Sequence, residues 1–139
     1  MKARPLMRLI TSTALTLALF CSFVTAMTQA AEHTKDSLKT VKQNVDDETA
    51  VLVDVREKGE WDSGHVAGAI FLPLSSLQDG PNKETLKAVP RGKTLYIHCA
   101  VGKRALVAAN ILEKQGYIVQ PLKPGYKDLI SAGFPKAKD

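Results

Sequence analysis

The segment LYIHCAVGKRA, residues 95–105, passes from an apolar run into a short loop and then into a helical pattern. The apolar run continues without alternation, which is typical of a strand covered on both faces. Gly102 lies in the loop, and after it apolar residues recur at helical spacing until Gly116. A strand, a short loop and a helix in this order predict a unit of the kind that builds a parallel sheet.

The rest of the chain repeats this alternation of strands and helices. We predict strands over residues 50–57, 69–72, 93–99 and 117–122. We predict helices after a Thr34 cap, from Ser75 or Ser76, over residues 83–88, from Gly102 to Gly116, and over residues 125–133. Such short alternation indicates an α/β fold with a parallel sheet that helices cover on both faces.

The first thirty residues differ in kind from the rest. Three cations come first, an apolar stretch follows over residues 9–24, and small residues at Ala26 and Ala30 offer cleavage sites. This pattern predicts a cleaved secretory signal peptide over residues 1–30 and a single domain over residues 31–139. It also predicts a periplasmic or secreted protein without stable membrane insertion. An uncleaved anchor is the alternative, although the apolar stretch is short for a span of about 20 residues.

The charge of the chain argues against one class of partner. The 139 residues carry 19 Lys and Arg against 14 Asp and Glu, a net charge of +5. Three of these cations lie in the predicted signal peptide, so the net charge of the remaining domain falls to +2. No basic run is interleaved with aromatic residues. We therefore expect no nucleic-acid partner.

Cleavage would also remove Cys21 and leave Cys99 as the single cysteine, so we expect no internal disulfide. A buried packing role is one interpretation, because free cysteine often behaves as a small hydrophobe. The position of Cys99 favours chemistry instead. In parallel sheets, ligands bind beyond the carboxyl ends of the strands, and Cys99 stands at such an end.

The loop that follows Cys99 can hold its sulfur as an anion. Small residues and a glycine that can adopt positive φ let successive backbone N–H groups converge at the start of a helix. Lys103 and Arg104 add positive charge there. We therefore predict a stabilised Cys99 thiolate that attacks an anionic substrate. The predicted substrate-binding residues are Ala100, Val101, Gly102, Lys103 and Arg104.

The spacing of the loop separates two reaction classes. A cysteine phosphatase loop has the form HCx5R, whereas here Arg104 follows Cys99 in a Cx4R pattern and Ala105 stands at the phosphatase position. The shorter loop makes a tighter pocket, better suited to presenting one sulfur atom than to enclosing a phosphoryl group. A phosphatase or arsenate reductase on the same scaffold is therefore the alternative.

Three segments carry a family resemblance. CAVGKR, residues 99–104, resembles the active-site loop CxxGxR of rhodanese-type sulfurtransferases. VDVREKGEWDSGHVAGAIFLPL, residues 53–74, is similar to their signature DVRxxxEfxxGHIxGAxxiP, and GYKDLISAGFP, residues 125–135, to their closing GGxxxWxxxGxP. Pro124 and Leu129 depart from the closing pattern, so substrate preference does not follow from the likeness. With the export signal, the chain resembles an exported single-domain rhodanese of the phage-shock periplasmic type.

The resemblance implies a rhodanese-like fold with a parallel sheet of four or five strands. It implies a thiosulfate sulfurtransferase in which Cys99 takes sulfur from an anionic donor such as thiosulfate as a persulfide. Cyanide, a thiol or a protein then accepts the sulfur. Loop amides would hold the persulfide, and Arg104 with Lys103 would attract the donor. No metal or organic cofactor is implied. A binding module that carries sulfane sulfur without turnover is a further alternative.

Other polar residues near these motifs are predicted to be structural. Charged groups at a strand end need partners when they are partly buried. The charged residues concerned are Asp54, Arg56 and Glu60. His98 should lie on the opposite face from Cys99, because neighbouring strand residues alternate. We expect His65 in a turn or the core and His33 exposed to solvent, and the scattered histidines predict no metal site.

Overall fold

The structure, a computed structural model, describes residues 29–138, so the predicted signal peptide lies almost wholly outside the described residues. The elements are α1 (Leu38–Asp46), β1 (Ala50–Asp54), α2 (Lys58–Asp62), β2 (Ile70–Phe71), α3 (Leu74–Gln78), β3 (Thr94–His98), α4 (Lys103–Lys114), β4 (Ile118–Pro121) and α5 (Tyr126–Ser131). Within the described range, none of these helices has the length and apolar character that a membrane span requires.

The strands form one four-stranded parallel sheet in the order β2-β1-β3-β4. Strands β1 and β3 pair along their whole length, from Ala50 opposite Thr94 to Asp54 opposite His98. Their carboxyl ends therefore meet at one edge of the sheet, where the Val55 amide donates to the His98 carbonyl at 3.0 Å. This architecture confirms the predicted α/β fold. It also brings the segments that follow both strands together, at the edge where parallel sheets bind ligands.

Two hydrophobic cores lie on the two faces of the sheet. Val53 and Ile97 pack on one face with α3 and α4, and Leu52 and Tyr96 pack on the other with α1 and α5. Successive strand residues point to opposite faces. Burial on both faces thus explains why the strand sequences are continuously apolar, since each face needs its own apolar side chains.

The predicted helix over residues 83–88 is wrong. These residues form successive turns between α3 and β3. The Leu86 amide donates to the Asn82 carbonyl four residues back, whereas the Val89 amide donates to the carbonyl of Leu86, three residues back. Because the hydrogen-bond spacing changes within one turn, no continuous helical ladder forms.

The start of helix α1 also differs from the prediction. Its cap is Ser37, whose hydroxyl accepts a hydrogen bond from the Thr40 amide at 3.1 Å. Thr34, the predicted cap, lies before the helix in a segment without regular secondary structure, where its amide donates to the Pro121 carbonyl at 2.8 Å. Thr34 therefore ties the chain to the end of strand β4 instead of starting a helix.

Helix α2 was not predicted from the sequence. It has five residues and buries none of them, so it shows no apolar stripe. The Glu60 carboxylate accepts a hydrogen bond from the Glu57 amide at 3.1 Å and thereby satisfies a donor at the start of the helix. Local capping by a charged side chain supports this element, and hydropathy patterns do not detect it.

Candidate active site

Cys99 follows strand β3 directly, at the carboxyl edge of the sheet. Its side chain is 0% exposed and belongs to the core under α3 and α4. The Gly102 amide donates a hydrogen bond to Cys99 Sγ at 3.1 Å. A residue at the edge where parallel sheets bind ligands is expected to be accessible, yet this sulfur is fully covered. The loop after Cys99 folds over it, so that the Gly102 amide lies against Sγ.

Gly102 makes this turn and begins helix α4. Its φ of 85° lies in the left-handed region, as predicted, which glycine adopts without steric cost. A Cβ atom here would lie 2.8 Å from His33 Nε2 and 2.8 Å from the Lys123 carbonyl oxygen. Both conformation and space therefore require glycine. We predicted that several backbone amides of the loop converge on the sulfur. Within residues 29–138, one backbone amide, that of Gly102, donates to Cys99 Sγ.

The closing segment of the chain packs tightly on this loop. The Tyr126 amide donates to the Cys99 carbonyl at 3.0 Å. A Cβ atom on Gly125 would lie only 1.7 Å from the Ala100 carbonyl oxygen. Because the Gly125 φ of −100° suits any residue, this glycine is required for space alone. Asp128 fixes the approach, since its carboxylate accepts a hydrogen bond from the Gly125 amide at 2.8 Å.

Arg104 forms a bidentate ion pair with Glu60, with N–O distances of 2.6 and 2.8 Å. The hydrogen-bonded Glu60 carboxylate raises the pKa of Arg104, and the Cys99 side chain acts in the same direction. In return, the hydrogen bond from Arg104 lowers the pKa of Glu60 to about 2. The positive charge of Arg104 is therefore neutralised by the Glu60 carboxylate. We had expected this guanidinium to attract the anionic donor.

The pairing of Glu60 with the loop was missed from the sequence. We predicted a structural role for Glu60 along with Asp54 and Arg56. Arg104 itself was a sequence signal for this contact, because a partly buried guanidinium needs an opposite charge nearby. The sequence contains several acidic residues that could have supplied that charge, and only the fold identifies the one that does.

The lowered pKa of Glu60 predicts how stability depends on pH. A pKa of about 2 instead of 4.5 contributes stability above pH 4.5, and this contribution is lost as the pH falls toward 2. The Glu60→Gln variant should therefore be less stable than the wild type near neutral pH, and the difference should shrink on acidification. Because both side chains are about one-third exposed, we expect a difference of about 1 kcal/mol or less.

Thermal unfolding of both proteins across the acid range measures this difference. The matched control is Glu84→Gln, which removes an exposed carboxylate that lies 3.7 Å from Lys87. This variant should stay close to the wild type at every pH. A stability gap for Glu60→Gln that is constant with pH would contradict the prediction.

Arg56 and Asp54 form a buried ion pair that supports the site. Arg56 Nη2 lies 2.7 Å from Asp54 Oδ2 and donates to the Gly64 carbonyl at 2.9 Å. The Arg56 guanidinium also lies over the Tyr126 ring, 4.2 Å from its centre. The pair thus joins the segment after β1 to the closing segment, which agrees with the structural role predicted for both residues.

A cleft of about 270 Å³ opens beside the loop. Its lining residues are Arg56, Glu60, Ala100, Val101, Tyr126 and Lys127. They come from all three sequence motifs that carry the family resemblance. Val101 is 70% exposed at the cleft, and the Lys103 and Lys127 side chains are also exposed. The cleft therefore combines an apolar wall with nearby exposed cations next to the loop that covers Cys99.

The histidines take three different positions. His98 is fully buried with Nε2 at 3.6 Å from Asp54 Oδ2, so it faces away from Cys99 as predicted, and burial lowers its pKa. His65 stacks on Trp61 with 3.6 Å between the ring centres; it lies partly buried in the irregular segment between α2 and β2 and not in the predicted turn or core. The prediction for His33 is wrong, because this side chain is partly buried and contacts Gly102 in the loop after Cys99, which we call the active loop. Across residues 29–138, no three His, Cys, Asp or Glu residues gather as a potential metal site.

Comparison with known proteins agrees with this geometry. The model of the family described as Rhodanese-like domain matches residues 37–132. YrkF of Bacillus subtilis (strain 168), named as a candidate sulfur carrier protein, is 34% identical over 94 residues, which cover 66% of this chain and 48% of that protein. The chain thus spans about half the length of this relative.

Two further similarities cover more of the matched protein. The thiosulfate:glutathione sulfurtransferase of Saccharomyces cerevisiae is 33% identical over 99 residues, which cover 65% of this chain and 71% of that protein. A crystal structure of a rhodanese-related protein from Thermoplasma volcanium gives a TM-score of 0.60 at 25% identity. That match covers 73% of this chain and 95% of the other.

Proposed function

Because this chain belongs to the rhodanese-like domain family, we propose that it is a sulfurtransferase whose Cys99 carries sulfur as a persulfide. The observation that carries this proposal is the Gly102 amide, which donates to Cys99 Sγ at 3.1 Å. A hydrogen-bond donor held against the sulfur can stabilise negative charge that develops there during the reaction. Once sulfur has been transferred, the same amide lies beside the persulfide and can donate a hydrogen bond to it.

The proposed reaction has two steps. The Cys99 thiolate attacks the outer sulfur of thiosulfate, forming a new S–S bond while the bond between the two donor sulfurs breaks. Sulfite leaves with the electron pair, and Cys99 remains as a persulfide. A thiol or cyanide then attacks the terminal sulfur, and the Cys99 thiolate is restored. Neither step consumes an external oxidant or reductant, because the sulfur moves from one nucleophile to another.

The surroundings of Cys99 suggest how a donor reaches it. Because Cys99 is 0% exposed, the loop must shift before a donor touches the sulfur. Val101, which is 70% exposed, lies on that loop and lines the cleft. Lys103 and Lys127 are exposed and can attract an anion, whereas the charge of Arg104 is balanced by Glu60.

The geometry supports one of the two alternative functions, the sulfur carrier, and argues against the other, the phosphatase. The fully buried Cys99 favours a sulfur carrier as the second candidate function, because a covered persulfide is protected from unspecific acceptors. A phosphatase would need the loop arginine to bind a phosphoryl group. Here the Arg104 guanidinium donates to both carboxylate oxygens of Glu60, at 2.6 and 2.8 Å, which argues against that reaction.

Two measurements on the wild-type chain test the proposal. After incubation with thiosulfate, intact mass should increase by one sulfur atom, and addition of cyanide should release thiocyanate continuously. A mass gain without thiocyanate turnover would favour the carrier function. Hydrolysis of an aryl phosphate without any uptake of sulfur would instead refute sulfur transfer and favour the phosphatase alternative.

A further inference from the structure

Residues 31–34 form a segment without regular secondary structure that is held by hydrogen bonds at both ends. The Ala31 amide donates to the Asn110 side chain at 2.8 Å, which ties one end to helix α4. The Thr34 amide donates to the Pro121 carbonyl at 2.8 Å, which ties the other end to strand β4. Ala31 also packs against the core that contains the catalytic sulfur. A side chain between these anchors is therefore held in a defined place beside the active loop.

His33 is such a side chain, and it contacts the loop directly. Its Nε2 lies 3.1 Å from the Gly102 carbonyl oxygen. A carbonyl only accepts, so Nε2 must carry the hydrogen and donate it. The same carbonyl also accepts from the Leu106 amide at 3.3 Å, within the first turn of α4. Removal of His33 would leave the Gly102 carbonyl with this longer bond.

The contact matters because Gly102 is the residue that bonds to the sulfur. Glycine rotates more freely than any other residue, and a rotation at Gly102 would turn its amide away from Cys99 Sγ. His33 Nε2 and the Lys123 carbonyl oxygen both lie 2.8 Å from the position that a Cβ atom on Gly102 would occupy. These neighbours leave Gly102 little room to change its conformation.

We propose that His33 is a positioning residue, which holds the Gly102 amide against Cys99 Sγ through its hydrogen bond to the Gly102 carbonyl. It acts through Gly102 and does not contact the donor. Its expected effect on the rate rests on the proposed sulfur transfer. Its expected effect on Gly102 rests on the geometry alone.

Amide hydrogen exchange, measured by NMR on the full chain, tests the contact itself. His33→Ala should increase the exchange rate of the Gly102 amide about threefold to tenfold, the range that corresponds to losing one hydrogen bond. His33→Gln should restore most of the protection, because its side-chain amide can donate to the same carbonyl. The matched control is His65→Ala, since His65 is also partly buried and lies 3.2 Å from a backbone carbonyl, that of Trp61. It should leave Gly102 exchange unchanged.

Steady-state kinetics test the positioning role. His33→Ala should lower kcat for thiocyanate formation about threefold to tenfold and leave KM for thiosulfate unchanged, because His33 does not contact the donor. His33→Gln should recover the lost kcat, and His65→Ala should match the wild type. A purely structural role would lower the melting temperature without this split between kcat and KM or its rescue by glutamine.

The outcomes separate this inference from the proposed function. Unchanged Gly102 exchange in His33→Ala overturns the inference, and so does an unchanged or increased kcat. If the wild type transfers no sulfur, the proposed function fails. Gly102 exchange then decides alone whether His33 holds the amide in place.

Discussion

The Cys99→Ser variant is expected to lose sulfur transfer completely while it keeps its fold. The serine hydroxyl fits the fully buried site, and its oxygen can accept the hydrogen bond that the Gly102 amide now gives to Sγ. Both the size and the acceptor are thus preserved. A hydroxyl, however, is not ionised at neutral pH without an activating base, and it cannot form a persulfide. Thiocyanate release should fall to the background rate, and intact mass should show no added sulfur.

The chain offers a matched control in its other cysteine. Cys21 lies in the predicted signal peptide, outside the described residues, and Cys21→Ser in the full chain should keep both the activity and the mass gain. Urea unfolding of Cys99→Ser should show a cooperative transition close to that of the wild type. Thiocyanate formation that persists in Cys99→Ser would place the reacting sulfur elsewhere and refute the proposed reaction.

Gly125→Ala is expected to destabilise the protein strongly and to disrupt the active loop. The added methyl group would lie 1.7 Å from the Ala100 carbonyl oxygen and 2.4 Å from its carbon. Both are backbone atoms, so no side-chain rotation relieves the clash and one of the two segments must move. Overpacking of this kind costs about 3 kcal/mol of unfolding free energy or more. Movement of Ala100 would also displace Cys99, so sulfur transfer should be lost with the stability.

A substitution at a second glycine serves as the control, because it adds the same methyl group without a clash. Gly59 lies in helix α2, and no atom stands within 4 Å of a Cβ placed there. Gly59→Ala should therefore keep the activity and raise the unfolding free energy by up to about 1 kcal/mol, because alanine favours helix. Urea unfolding and the thiocyanate assay on both variants measure the contrast. Equal stability of the two variants would show that the closing segment is not tightly packed on the loop.

The sheet and the reactive loop were predicted from the sequence because their signals are local. Apolar runs define β1 and β3, and one glycine followed by two cations marks the end of the loop and the start of α4. The position of Cys99 after a strand follows directly from this pattern. Helix α2 and the turns of residues 83–88 were not predicted correctly, because such short segments depend on individual capping and turn hydrogen bonds.

The contacts that complete the site are distant along the chain. Glu60 pairs with Arg104 across 44 residues, and His33 reaches Gly102 across 69 residues. Hydropathy and local spacing carry no information about which distant residues meet. For the same reason, the need for glycine at position 125 becomes visible only when the Ala100 carbonyl lies beside it. These three contacts required the folded structure.

The complete burial of Cys99 has a consequence for the lifetime of the protein. Peroxide oxidises exposed thiolates in steps, and the later products are irreversible. A sulfur that is 0% exposed meets an oxidant only when the loop opens, and a sulfur donor needs the same opening. In the proposed reaction, the opening that admits the donor would also admit the oxidant, so more frequent opening would bring faster irreversible oxidation of Cys99.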